Sequence, residues 1–518
     1  MNQKAKIALL AMVVVLLATA AVWAGGAREP EPDSLIVAFP QDVATFDIMI
    51  STAPPNEVRH MVFEPLFAPD ASIRPQPHLA RSAEMSDDGL TWTFHLRDNV
   101  VFHDGQPMTS ADVVASWGRY REVGARAWEL QRVDDVVAID DYTVEFRLSA
   151  PLGSILESLA ATGGCFGIYP EWVIDEIGTD DLVNIEHIVG TGPYKVDRIV
   201  PEERYVLRRY EGYTQPGGEP SFLAGNRYAP MEIIDIRVIP DDATRVAALE
   251  AGDVDLIQTV PLDDAKRVEQ NPNTYIEITS PGYRIYYKFN ASQGPFADPV
   301  LREAVRTAVD PEALMLAVGD PEYWRVNHAM RYQEEQWMWS DVAFDYYPND
   351  MARARQLVEQ SSYNGELIRF MASPGRALEF RTVVPMDQTL RDLGLNVEIQ
   401  SVDAATFSSL RRQLDQWEFK HAGGGSMVGP VYLDSSAQDR TGQFWPGVTD
   451  EWHELMDVLV EEVDQDIRTA AIARLHELHA EAVHEMWIGD VFELAGARSN
   501  VRNVPPWFKL ILWNIEKE

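Results

Sequence analysis

Four short groups in this 518-residue chain carry the residue types that chemistry uses. Gly190-Thr-Gly-Pro193 has the look of a phosphate cradle. A phosphate loop ends in Lys-Ser/Thr and opens a helix, whereas this one runs into a strand pattern, so it reads as a turn entering a domain. Gly423-Gly-Gly-Ser-Met427 sets a serine among glycines, but the nucleophile elbow Gly-x-Ser-x-Gly is not met around Ser426. Three glycines instead let the backbone approach a ligand and offer it N–H groups. His476 and His479 share a helix face, with His484 beyond, and His476-Glu-Leu-His479 is one residue short of the zinc-protease spacing. They read as ordinary helical histidines. Cys165, the single cysteine, excludes an internal disulfide and reads as a small buried hydrophobe. No nucleophile–base pair or metal triad stands out, which turns the search from turnover to binding.

For binding, the candidates are aromatic and glycine positions. Tyr332, Trp337, Trp339, Tyr346 and Tyr347 crowd one stretch that also holds Gln333-Glu-Glu-Gln336, an unusual neighbour for a core. Trp337 and Trp339 would give a ligand flat apolar area with one polar handle. Phe46 and Asp47 follow the first strand at its carboxyl end, where open α/β sheets place ligands. Tyr283 begins an alternating strand run. With Gly423, Gly424, Gly425, Ser426 and Met427, these make up the expected ligand site. No cofactor and no metal is expected.

The elements that must hold these residues are partly written in the sequence. From Gly89 to Val114, Leu90, Trp92, Phe94 and Leu96 alternate with polar residues as a half-buried strand. Asp104-Gly-Gln-Pro107 breaks the run, and Thr109 with Asp112 has capping-box spacing before Val113, Trp117 and Tyr120 at helical intervals. Strands are predicted at 34–39, 142–148, 194–196, 203–209, 231–239, 254–257, 283–289, 367–372 and 396–400. Helices are predicted at 56–67, near 155, at 241–249 with Gly252 as C-cap, at 298–309, 349–360, 383–393 and 406–414, and as a pair within 452–486. This traffic is that of α/β lobes, and the length asks for more than one domain.

Composition sets the partners. The formal charge of −37 leaves nothing to neutralise phosphates, so nucleic acid is excluded as a partner. Lys4 and Lys6, then an apolar run to Ala24, read as an export signal over residues 1–24 that is cleaved. No cysteine stands near that site, so no lipoprotein anchor is expected.

The block from Gly89 to Val114 resembles the signature of the periplasmic oligopeptide- and dipeptide-binding proteins of ABC importers, solute-binding family 5. Phe63-Glu-Pro-Leu-Phe67, Val189-Gly-Thr-Gly-Pro-Tyr194, Ala247-Ala-Leu-Glu-Ala-Gly-Asp-Val-Asp255, Tyr287-Lys-Phe-Asn290, Asp298-Pro-Val-Leu-Arg-Glu-Ala304 and Leu390-Arg-Asp-Leu-Gly-Leu-Asn396 match in order. The resemblance implies an α/β fold of the two-lobed periplasmic-binding-protein type (class II), with an extra α+β domain inserted in the first lobe. Lobe I would comprise 27–68, 187–281 and 488–518, the inserted domain 69–186, and lobe II 282–487. The crossings between lobes would lie near Pro281-Gly282 and around Met486 to Glu493. It implies a periplasmic monomer that captures a peptide and delivers it to an inner-membrane ABC permease with its ATPase subunits, and that is not an enzyme. One departure stands out. Peptide-binding members present an aspartate for the ligand's α-amino group in the region matching Lys420 to Pro430, and no acidic residue falls there. That opens the alternative of a neutral solute such as an oligosaccharide. A secreted hydrolase is the rival of another class.

Overall fold

The computed structural model describes residues 33–425 and 449–518. Its first strand, β1 (Ser34–Phe39), shows how the main sheet is built. Leu35, Val37 and Phe39 point into one hydrophobic cluster, and Ala38, with Ile36 beside it, into another on the opposite face. Both faces are covered, which is why Leu35 to Phe39 is apolar throughout rather than alternating.

An inserted segment follows. It carries a four-stranded antiparallel sheet of β2 (Ala80–Met85), β3 (Thr91–Leu96), β4 (Val133–Asp140) and β5 (Thr143–Leu148), in the order β2-β3-β5-β4. Trp92, Phe94 and Leu96 face inward, as the alternation requires, against Val113, Trp117 and Tyr120 of α1 (Ser110–Val123). Asp112 Oδ2 accepts the Thr109 N–H at 2.7 Å at the start of α1.

The chain then returns through β6 (Tyr194–Val200), β7 (Arg204–Arg209), β8 (Ile233–Val238) and β9 (Leu256–Ile257). Next comes the long β10 (Thr274–Phe289), followed by β11 (Trp324–Val326), β12 (Leu367–Ala372), β13 (Asn396–Ser401) and β14 (Phe419–Gly425). Helices α2 (Asp450–Glu461) and α3 (Gln465–Ala482) precede a second long strand, β15 (Glu485–Arg498). One sheet joins them in the order β13-β12-β14-β10-β15-β9-β1-β8-β7-β6, with β11 on β15. Helix Asp242–Ala251 ends at Gly252, whose φ of 83° suits glycine.

The two long strands serve both lobes. Ile285, Tyr287 and Phe289 of β10, with Met486, Ile488 and Val491 of β15, lie in the core of the second lobe. Leu494, Ala495 and Ala497 of β15 belong to the cores of the first. The β10–β15 ladder is antiparallel, and its register slips between Ile278 and Pro281 and again between Pro281 and Tyr283. Proline contributes no N–H to a ladder, so the pairing is thinnest where the two cores meet.

One expected element is corrected. Asn56 to Phe67 is not one helix: only Asn56–Arg59 is helical, and a short strand, Phe67–Pro69, closes the stretch. Pro65 disfavours helical geometry at Glu64 and forms a bridge to Gly167 instead. The strand expected from Tyr283 starts earlier, at Thr274.

The Gly190-Thr-Gly-Pro193 turn has a structural use. A side chain at Gly190 would fall on the Val62 carbonyl oxygen, and one at Gly192 on that of Met61. The closeness lets Gly192 N donate to Val62 O at 2.9 Å and Tyr194 N to Met61 O at 3.0 Å. Between the glycines, Thr191 Oγ1 donates to the buried Glu64 carboxylate at 2.7 Å. Glu64 also receives Tyr213 at 2.9 Å and meets His78 at 2.8 Å and Arg227 at 3.1 Å. Burial alone would raise its pKa, but His78, Arg227 and these hydrogen bonds hold it down at about 2. Two of the family-like blocks are therefore one buried network.

Two outcomes follow for stability. Gly190→Ala forces backbone against backbone and costs about 1–3 kcal/mol or more in urea unfolding, with secondary structure retained. Five buried histidines are depressed by burial: His60, His421 and His476 to about 3, His78 and His328 to about 4. The unfolded chain protonates its histidines near pH 6.5 and the folded chain does not until about pH 4, so unfolding takes up protons between these values. Stability therefore falls as pH drops through that window, by up to about 1.4 kcal/mol per pH unit for each histidine. Denaturant midpoints measured from pH 7 to pH 5 check it; a flat profile contradicts it.

Candidate functional site

The expected site residues divide into three groups. Phe46 is buried and packs on the Tyr205 ring, with centroids 5.7 Å apart. Asp47 has no exposed surface: one oxygen pairs with Arg119 Nη2 at 2.5 Å, and the other accepts the Tyr169 hydroxyl at 2.9 Å and the Met49 N–H at 3.0 Å. Both sit at the carboxyl end of β1 as expected, but the inserted domain covers that end. The Asp47 carboxylate neutralises a buried arginine and presents nothing to a ligand.

Trp337 is likewise core. It keeps 8% exposure, and the Arg468 guanidinium lies 5.2 Å from its ring centre. Trp339 is half-buried beside Phe344, with centroids 6.4 Å apart, and its indole N–H is buried without a hydrogen-bond partner. His476 also belongs to packing, its Nε2 lying 2.9 Å from the Met338 carbonyl. His479 Nε2 accepts the Trp487 indole N–H at 3.3 Å. Among the described residues, no group of three or more His, Cys, Asp or Glu side chains is placed to hold a metal ion. The Cys165 thiol is buried and pushed up to about 12, far from a nucleophile's range.

The third group is brought together. Tyr283 on β10 pairs with Gly425 on β14, and Arg284 with Gly424. Arg376 donates to Glu379 at 2.7 Å, lies 3.4 Å from the Tyr283 hydroxyl and also reaches the Gly423 carbonyl. A side chain at Gly423 would strike Glu379, whereas the space beside Gly424 is open. Burial, then Glu379, raises the Tyr283 hydroxyl, so it stays a neutral donor. Ser426 and Met427 lie outside the described residues. On the first-lobe side of the crossing, Glu57 is buried with its pKa raised by desolvation. Its neighbours Lys509 and Glu493 lie 3.7 Å apart and are partly exposed.

Sequence reasoning missed one further feature. A cavity of about 210 Å³ lies between the inserted domain and α2. Trp128, Glu129, Arg132 and Ser154 line one wall; His453, Met456 and Asp457 line the other. The walls are fastened at their rim. Ser154 N donates to Val460 O at 3.1 Å, and Gly153 sits so close to the Glu462 carbonyl that no side chain would fit. Arg132 pairs with Glu461 at 2.8 Å, and Arg468 with Glu157 at 2.7 Å, the latter pair buried. Inside, burial raises the Glu129 carboxyl to about 7, against the opposing pull of Arg126. The sequence signal was Arg126-Ala-Trp-Glu129, an acid beside a tryptophan and three residues after an arginine. Chemically, the arrangement offers an aromatic face, a buried carboxyl and a small, partly open volume.

Comparison with known proteins agrees. The model of the bacterial extracellular solute-binding proteins, family 5, matches residues 74–438. A probable peptide ABC transporter periplasmic-binding protein, y4tO of Sinorhizobium fredii, is 27% identical over 502 residues, 92% of each chain. The glutathione-binding protein GsiB of Escherichia coli K12 is 26% identical over 352 residues, 66% of this chain and 64% of that one. Among solved structures, the ABC transporter substrate-binding protein CtaP of Listeria monocytogenes superposes with a TM-score of 0.80 at 19% identity, covering 93% of this chain and 99% of that one. DppA of Helicobacter pylori, in complex with the peptide STSA, gives 0.72 at 20% identity, covering 94% and 98%. The two-lobed α/β architecture with its inserted domain is the fold these structures share with it, and the chain belongs to the bacterial extracellular solute-binding proteins, family 5.

Proposed function

We propose that this chain is the exported receptor of an ABC importer, which takes a peptide between its lobes and hands it unchanged to a membrane permease and its ATPase subunits. The observation that carries the reading is the cavity between segments more than 300 residues apart in sequence, whose rim Arg132 and Glu461 fasten. A pocket walled by two separate parts of the chain binds tightly only when they are together, so the ligand favours the closed arrangement. The hinge in this reading is the β10–β15 crossing at Pro281-Gly282, dividing lobe I from lobe II. Tyr283, Gly423 and Gly424 would line the lobe II side. Peptide as the ligand class draws support from the Sinorhizobium relative's name and from DppA, which was solved with a peptide.

No helix among the described residues is long and apolar enough to cross a membrane. In this reading residues 1–24 direct export, and the mature receptor works in the periplasm as a monomer.

A thermal-shift screen over di- to pentapeptide pools, oligosaccharides and metal chelates tests it. A ligand at a hundred times its Kd adds about 2.7 kcal/mol of stability, a melting rise of a few degrees. Peptide pools are expected to give that rise. A rise with sugars alone would overturn the peptide assignment, and covalent turnover of a bound compound would overturn the receptor role.

A further inference from the structure

Gly153 has no conformational reason to be glycine. Its φ lies outside the left-handed range, so any residue could take its backbone shape. What a side chain there would meet belongs to a distant part of the chain. A Cβ would fall on the carbonyl of Glu462, with the Glu461 carbonyl oxygen next, and its three nearest atoms all come from those two residues. The following residue makes the contact that this closeness allows. Ser154 N donates to the Val460 carbonyl at 3.1 Å. The last carbonyls of α2 (Asp450–Glu461) have no partner within their own helix, and this N–H supplies one.

The charged groups around this point are crossed in sign. The inserted domain gives Arg132 and Glu157, and the α2–α3 pair gives Glu461 and Arg468. Arg132 meets Glu461 at 2.8 Å and stays partly exposed, while Arg468 meets Glu157 at 2.7 Å and both are buried. Opposite signs on each side of one seam fix the register in which its surfaces meet. Water can replace each of these partners when the surfaces part, so parting leaves no polar group unsatisfied. The seam is also incompletely filled, with about 210 Å³ between its walls, whereas a permanent core packs as densely as a crystal. Polar contacts of this kind are those along which domains of one chain move.

We propose that Gly153 is a positioning residue for closure: lacking a side chain, it lets the inserted domain seat against the carboxyl end of α2 when a solute is held, and so sets how tightly the solute is kept. The proposal rests on the receptor reading above, in which α2 travels with the second lobe. A side chain at position 153 meets main chain, which cannot swing aside, so the seam is held apart. The parted receptor does not feel the change. Only the closed arrangement loses population, and the apparent affinity falls with it.

The test compares full-length wild type with Gly153→Val. Randomised di- to pentapeptides and an oligosaccharide pool are the probes, and captured molecules are counted by mass spectrometry. Gly153→Val is expected to keep the wild-type melting temperature without solute and to capture about ten-fold less of whichever pool the wild type takes. A second measurement needs no variant: exchange of the Ser154 amide hydrogen in the wild type, with and without the captured pool. Saturation is expected to slow that exchange about ten-fold or more, because the bond to Val460 forms on closure. If Gly153→Val melts several degrees lower without solute, or Ser154 is equally protected in both conditions, the seam is permanent packing and the proposal is wrong. Undiminished capture by Gly153→Val also overturns it. In each of these cases the receptor reading stands as long as the wild type captures a pool. If the wild type captures neither pool and Ser154 exchange never changes, both fall.

Discussion

Two strands belong to both lobes, and the rest of the molecule is arranged around that constraint. β10 and β15 run side by side through the middle of the sheet, giving Ile285 and Met486 to one core and Leu494 and Ala497 to others. A ladder of main-chain hydrogen bonds keeps the halves joined at any angle between them. The ladder is weakest at the register slips around Pro281, where the proposed function places the hinge. In that reading the ligand's work is to choose the angle between the halves.

Charge does the choosing in two different ways. Asp47 and Arg119 are buried and mutually satisfied, with Tyr169 completing the carboxylate's shell. The Glu64 network is still more complete. Such groups fix the packing of the inserted domain on its lobe and have nothing left for a solute. Glu129 is less well provided: Arg126 is its counter-charge, yet burial still raises its carboxyl to about 7. The difference between the two cases lies in how many partners the fold supplies, and burial alone does not reveal it.

That difference explains what the sequence disclosed. Periodicity and caps placed β3, α1 and the run from Met351 to Ser401, because Trp92, Phe94, Asp112 and Gly394 carry their reasons locally. The α2–α3 pair was legible for the same reason. The helix expected at 56–67 failed because Pro65 and the bridge to Gly167 outweighed an apolar period. The site residues were harder. Asp47 lies at a sheet's carboxyl end, where ligands are often held, yet Arg119, 72 residues away, had already claimed it. Trp337 met Arg468, and Glu129 met α2, across separations that no local pattern records. The glycine run does lie opposite Tyr283 in the ladder, a pairing that the sequence alone did not assign.

Closure can be watched directly. Val183 in the inserted segment and Val384 on helix Val383–Asp392 are 87% and 70% exposed, and the single native cysteine is buried, so cysteines introduced at both sites would take spin labels cleanly. Electron–electron distances between the labels should shift to one shorter, narrower population when a captured peptide saturates the protein. An identical distribution with and without saturating peptide would contradict a ligand held by two moving lobes.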